Sequence, residues 1–299
     1  MVFLQPPKLI VTSSKMLVSF FVIIVLQPNL ERQERLMIDV QSMKDERGIE
    51  IQRVGLKDVH LPFQIRTKNG GYQQVQSNVA ISVNLPHHFK GTHLSRFMEL
   101  LMSWSEKPVA ASEIRQLLKE LCSNLEVAEA EIDLKFRYFL PLPSPVSRIT
   151  GYLDYCCEFK GILKQPQNEY IFHMGAEIPV LSLCPCSKEI SDFGAHNQRA
   201  VIRTLVKPHY PGKIIWLEDL IELLRVQGSC QVFPVLKRED EKYVTETAYL
   251  NPKFVEDVLR DSVLALRSDA RIEWFQVEVE SYESIHNHSA FASHVETVN

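Results

Sequence analysis

No stretch of this sequence carries five or more consecutive lysines or arginines. Its 33 basic residues stand against 37 acidic ones, a formal net charge of −4. That balance supplies no basic face of the kind nucleic acids require, so no nucleic-acid partner is expected. No apolar run reaches the ~20 residues that span a bilayer, and no membrane partner is expected either. Glycine is sparse, at 11 residues, and no low-complexity block is present. Six cysteines in 299 residues are too few for a disulfide framework, so reduced thiols in a cytoplasmic protein are expected. Cys122, Cys156, Cys157 and Cys230 lie among apolar neighbours and read as buried core thiols.

What is present is a globular composition, 45% hydrophobic and 23% charged, in a chain long enough for one large core or two medium ones. The most apolar stretch, residues 16–26, follows Lys8 and Lys15 and has the length of a signal-peptide apolar region. No small-x-small cleavage site follows it closely. Residues 1–36 are therefore read as a dispensable extension, with the working protein beginning near Met37.

Alternation of apolar and polar residues predicts strands at 74–85, 130–142, 151–163, 169–183, 200–210 and 271–281. Thr92 is the expected N-cap of a helix that turns Leu94, Phe97, Met98, Leu101 and Met102 to one side. Ile114, Leu117, Leu118 and Leu121 mark a second helix, and residues 216–227 a third. A fourth follows Asn251-Pro252, with Phe254, Val255, Val258, Leu259 and Leu266 inward. Residues 230–250 read as mixed strand and charged loop. Long antiparallel strands with helices on one face predict an α+β fold, built as two similar modules.

Several polar clusters do not look like packing. In LCPCSKEISDFGAHNQRA (183–200), Cys184 and Cys186 flank a proline, and His196 follows. In an extended chain such a pair faces one side, roughly 6.8 Å apart, and a disulfide between them would be strained. Thiolate and imidazole are ligands for zinc and related divalent ions; the bland alternative is two half-buried thiols before a polar loop. In SYESIHNHSAF (281–291), His286 and His288 follow Glu283. This is either a solvated tail or a group for proton transfer near neutral pH. LKREDEKYVTE (236–246) reads by composition as a solvated hairpin, and Glu256 as half of an exposed helix ion pair with Arg260.

Taken together, LCPCSKEISDFGAHNQRA, LKREDEKYVTETAYLNPKFVEDVLRD and ESIHNHSAFA closely resemble GTP cyclohydrolases of type IB, a branch of the tunnelling-fold (T-fold) superfamily. DVQSMKDERGIEIQRVGLK (39–57) and KGTHLSRF (90–97) resemble two further signatures of that family, and the resemblance covers about residues 37–292. It implies a bimodular T-fold, with modules at 37–165 and 166–299, assembling into an oligomeric barrel. The implied assembly is a homotetramer with active sites between subunits. It implies conversion of GTP to 7,8-dihydroneopterin triphosphate and formate, the first step of pterin and folate synthesis. Carried over by motif, Cys184, His196 and Glu241 are the expected ligands of a divalent metal, zinc or manganese, with Glu239 the alternative to Glu241. Cys186, His286 and His288 are expected around the reacting centre, with Cys184 counted among the catalytic residues too, and Glu256 as the purine anchor. Lys188, Arg199, Lys237 and Arg238 are the candidates for the triphosphate.

Two other readings fit the same residues. One is the T-fold nitrile reductase, which uses a nucleophilic cysteine with NADPH; its ESK-type signature is absent, and ESIHNHSA stands in its place. The other is a metal-bearing T-fold oligomer without catalysis.

Overall fold

Residues Ile51–Arg66 (β1) and Tyr72–Leu85 (β2) pair antiparallel across a turn at which Gly70 takes φ +87°, a conformation costly for any residue with a Cβ. The computed structural model describes residues 41, 43–209, 212 and 214–298; the expected extension at 1–36 lies outside them. After β2 come Leu94–Ser105 (α1), the short Pro108–Val109 (β3), Ala111–Leu125 (α2), Glu129–Pro143 (β4) and Thr150–Lys164 (β5). Then follow Glu169–Leu183 (β6), Pro185–Ile190 (α3), Asn197–Pro208 (β7), Leu217–Leu224 (α4) and Cys230–Gln231 (β8). The chain closes with Arg238–Leu250 (α5), Val255–Ser268 (α6), Ile272–Ser281 (β9) and Ala290–Thr297 (β10).

All ten strands belong to one sheet of order β10-β9-β7-β6-β5-β4-β2-β1-β3, with β8 on β6. Every pairing is antiparallel except β1 with β3. The α+β expectation holds. The path runs two strands, helices and two strands on each side of the β5–β6 hairpin, and the long strands mirror one another about it.

Period-two alternation assigns one face of the sheet to the core. Ile132, Leu134 and Phe136 of β4, Phe159 and Leu163 of β5, Ile202 and Val206 of β7, and Phe275, Val277 and Val279 of β9 are all buried. The helices cover this face. Ile114, Leu117, Leu118 and Leu121 of α2 are fully buried, as their spacing predicts. A Cβ on Gly161 of β5 would meet Ile114 Cγ2 at 2.6 Å, so α2 lies almost on the strand backbone there. The opposite face is polar. Arg137, Cys156, Glu177, Arg203 and Glu278 stand in register across β4, β5, β6, β7 and β9. Cys156 is therefore half-buried on the open face, while Cys122, Cys157 and Cys230 are buried; all six thiols are free.

Four local expectations are corrected. The α1 N-cap is His93, not Thr92, and the buried stripe is Phe97, Leu100, Leu101 and Trp104, leaving Leu94 and Met102 exposed. Trp104 supplies the reason: its indole N–H donates to Glu120 Oε2 on α2 at 2.9 Å, fixing the large ring at the helix–helix contact. Residues 238–250 are a helix rather than a hairpin, because Asp240 caps the Lys237 N–H and Val244 and Ala248 turn inward one turn apart. In α6, Phe254 is the N-cap and partly exposed rather than inward. The solvated-tail alternative for 281–291 fails at its end, where Ala290 and Phe291 begin β10, an edge strand paired along all of its length with β9. No helix among the described residues is long and apolar enough to cross a membrane.

Candidate functional site

The site is built where β6 ends and β7 begins. Pro185 opens α3, where a fixed φ and a missing N–H cost nothing, and this ends the extended run at Cys184. Cys184 is the N-cap, and its sulfur accepts from the Ser187 N–H at 3.4 Å. Cys186 is thus helical and exposed, and does not share a strand face with Cys184 as an extended CxC would.

His196 returns beside Cys184. The Cys184 N–H donates to the His196 carbonyl at 3.1 Å, and the His196 N–H donates to Ser187 Oγ at 3.2 Å. Ser187 Oγ also donates to the Cys184 carbonyl at 3.2 Å, so one hydroxyl staples both halves of the turn. The imidazole Nδ1 lies 2.8 Å from Gln198 Oε1 and 3.9 Å from Glu283 Oε2, with the His196 and Glu283 side chains 13% and 16% exposed.

Helix α5 packs on this end through Val244 and Ala248, which join Leu181, Leu183, Ala195 and Cys230. Glu241 is exposed and falls one turn before Val244 on the same helical face, whereas Glu239 falls on the opposite one. The neighbouring Asp240 is buried. It accepts from the backbone N–H groups of Val146 at 2.8 Å, Ser147 at 2.9 Å and Lys237 at 2.8 Å, and from Ser147 Oγ at 2.6 Å. Burial alone would raise its carboxyl, but these donors outweigh burial and hold it well below the ordinary range. Asp240 thereby clamps the N-terminal turn of α5, and with it Glu241, to the β4–β5 loop.

Among the described residues no three His, Cys, Asp or Glu side chains gather closely enough to enclose a metal ion. Cys184 and His196 are brought together, and Glu241 stands on the α5 face that packs toward them. A soft thiolate, an imidazole and a hard carboxylate fit a divalent ion such as zinc or manganese.

The other expected residues surround this point on separate elements. His286 and His288 are exposed in the β9–β10 loop, their rings stacked at 5.0 Å. That loop is tied to the site through Glu283 and through Ser284 Oγ, which donates to Gln198 Oε1 at 3.4 Å. Glu256 is exposed in the first turn of α6. The expected pair with Arg260 does not form, because Arg260 binds Asp257 instead at 2.9 Å; Glu256 has no ion pair among the described residues. The linker before α6 is fastened to β6, with Lys253 N–H donating to the Leu183 carbonyl at 3.0 Å and Ser182 Oγ to the Lys253 carbonyl at 3.0 Å. Lys188 donates to the Tyr249 carbonyl at 2.5 Å and lies 4.3 Å over its ring, so it links α3 to α5. Arg199 is exposed on the open sheet face, opposite Gln198, and Lys237 and Arg238 are exposed where α5 begins.

Ser187, Gln198, Asp240 and Lys253 were not evident as site residues from sequence. The available signals were weak: an amide two residues after a histidine, and an aspartate at the third position of a helix.

The sequence profile of the family described as "Type I GTP cyclohydrolase folE2" matches residues 37–292. The GTP cyclohydrolase FolE2 of Maridesulfovibrio salexigens is 46% identical over 257 residues, 86% of this chain and 98% of its own length. That of Geobacter sulfurreducens is 45% identical over 257 residues, covering 86% and 97%. That of Magnetococcus marinus is 44% identical over 254 residues, covering 85% and 94%. Among solved structures, a uricase from Bacillus fastidious superposes with a TM-score of 0.49 at 7% identity, covering 83% of this chain and 94% of that one. With the profile matched across nearly all of the residues from Met37 onward, the chain belongs to the type I GTP cyclohydrolase FolE2 family.

Proposed function

We propose that this protein is a GTP cyclohydrolase, hydrolysing GTP to 7,8-dihydroneopterin triphosphate and formate at the head of pterin and folate synthesis. The observation that carries this reading is the family match over residues 37–292, which takes in every candidate site residue. The nitrile-reductase alternative loses its ground, since the match runs through His286 and His288 where the reductase signature would stand.

Each residue has a chemical reason for its role. Guanine presents N1–H and the exocyclic amine as adjacent donors, and the exposed Glu256 carboxylate is an acceptor-only fork for both. Cys184, His196 and Glu241 would hold a divalent ion; such an ion supplies acidified water for attack on C8 of the purine. His286 and His288 are suited to move protons to and from the ring nitrogens as the imidazole ring opens and formate leaves. Cys186 is exposed beside Cys184, within the same turn. Arg199, Lys237 and Arg238 have solvent-facing cations for the triphosphate, whereas Lys188 is engaged by Tyr249.

The mirrored strand order supports two T-fold modules, 37–165 and 166–299, and the uncovered polar face supports a barrel of several copies, here a cytoplasmic homotetramer with shared active sites. The test is turnover by the full-length chain, stripped of metal and titrated with zinc or manganese, with formate and pterin measured together. Formation of both only in the presence of metal supports the proposal. GTP left intact in every metal tested refutes it.

A further inference from the structure

Gln198 is buried, and its side chain lies between two groups of different chemistry. Its Oε1 is 2.8 Å from His196 Nδ1. Its Nε2 is 3.3 Å from Glu283 Oε1 and 3.3 Å from the buried Ser281 Oγ. An ionised carboxylate only accepts hydrogen bonds, so the end of the amide that meets Glu283 must be its NH2. Ser281 agrees: its hydroxyl donates to the same Glu283 oxygen at 2.9 Å, leaving its lone pair for the Gln198 amide. The amide oxygen must therefore face the imidazole. An oxygen at 2.8 Å from Nδ1 requires the proton to be on Nδ1, and Glu283 Oε2 at 3.9 Å is a second acceptor on the same side.

We propose that Gln198 is a positioning residue, which with Glu283 and Ser281 fixes His196 as the Nδ1–H tautomer and reserves Nε2 as its free lone pair. His196 Nε2 has no hydrogen-bond partner among the described residues. A histidine that binds a metal commonly donates its other ring N–H to a neighbouring acceptor, which sets both tautomer and ring orientation. Here the acceptor is an amide, and the amide's direction is dictated one step further out by the carboxylate. The tautomer itself is a property of the metal-free chain. Its consequence for binding rests on the metal reading above.

The test uses full-length, metal-free protein labelled with 15N-histidine, with His196 assigned by comparison with His196→Ala. Two-bond proton–nitrogen spectra should show a protonated Nδ1 and a bare Nε2 at His196. Gln198→Met keeps the length and removes the acceptor; it should let the Nε2–H tautomer appear and weaken zinc or manganese binding by about 10- to 100-fold in chelator competition. Glu283→Gln removes the carboxylate that dictates the amide's direction while keeping its size, and should also let the Nε2–H tautomer appear, which separates this role from simple filling of space. An Nε2–H tautomer in the wild type overturns the proposal, as does a Gln198→Met protein with unchanged tautomer and affinity. If Cys184→Ala keeps its metal while the wild-type tautomer is Nδ1–H, the metal assignment fails and the positioning role stands. Should Gln198→Met not fold, the wild-type and Glu283→Gln spectra decide.

Discussion

The backbone N–H of Cys184 donates to the carbonyl of His196 at 3.1 Å, joining the end of one strand to the start of the next. The short helix and loop between them are a detour that leaves and returns to the same place. A thiol and an imidazole far from each other in the chain thereby share one corner of the sheet.

Replacing either member should empty the site. Cys184→Ala or His196→Ala is expected to abolish stoichiometric metal, measured by elemental analysis. GTP turnover should fall by more than ~100-fold, beyond the loss typical of an outer-shell partner. Near-normal metal content and turnover in both variants would place the centre elsewhere.

Glu256→Gln should cost substrate recognition without loss of fold. A charge-assisted hydrogen bond is worth about 1.5–3 kcal/mol, so kcat/KM for GTP should drop about 10- to 150-fold. Arg260→Ala should leave KM unchanged, because Arg260 pairs with Asp257 and not with Glu256. Steady-state kinetics on the two variants distinguish an anchor from a helix ion pair.

Asp240 predicts an acid limb of stability. Its carboxyl is held below its ordinary value of 3.8, so its contribution is complete above that value and is lost as pH falls through the lower, folded value. In that interval the unfolded chain binds the extra proton, and stability rises with pH. Asp240→Asn should lower Tm at pH 7 and flatten the dependence of Tm on pH below about 4. It should also weaken metal binding, since the turn carrying Glu241 is released from the Val146–Ser147 loop. An unaltered acid limb would remove Asp240 as its source.

Thiol labelling should sort the cysteines by environment. Burial pushes Cys122 up to about 11 and raises Cys157 well above the ordinary thiol value, which leaves both as unreactive thiols at pH 8. Cys186 is exposed at the start of α3 and should be alkylated first by iodoacetamide, with loss of GTP turnover. Peptide mapping that finds Cys122 or Cys157 modified before Cys186 contradicts the packing described.

Gly161→Ala tests the contact between α2 and β5. The new methyl would meet Ile114 Cγ2 at 2.6 Å, and overpacking of this kind costs about 1–3 kcal/mol. Urea unfolding should register that loss, and the double variant Gly161→Ala with Ile114→Leu, which lacks the clashing Cγ2 methyl, should recover part of it.

The sequence by itself determined the strands and the chemistry-bearing residue types. β6 spans Glu169–Leu183 as its alternation predicts, and Ile114, Leu117, Leu118 and Leu121 are buried as their spacing requires, because pleat and helix periods are local properties of the chain. The family motifs were legible for the same reason, being continuous segments. Tertiary structure decided what depends on neighbours distant in sequence. Charge density hid α5, whose start is fixed by Val146 and Ser147 on another loop and whose inward face is seen only against Leu183. The α1 stripe was set by Trp104 meeting Glu120 on α2. Arg260 pairs with Asp257 rather than with Glu256, a choice between two nearby carboxylates that spacing alone did not decide. Neither the order of the strands nor the carboxylate-to-amide-to-imidazole chain at His196 could be read from spacing, since hydrogen-bond partners across β7 and β9 are chosen by sheet register, not by sequence distance.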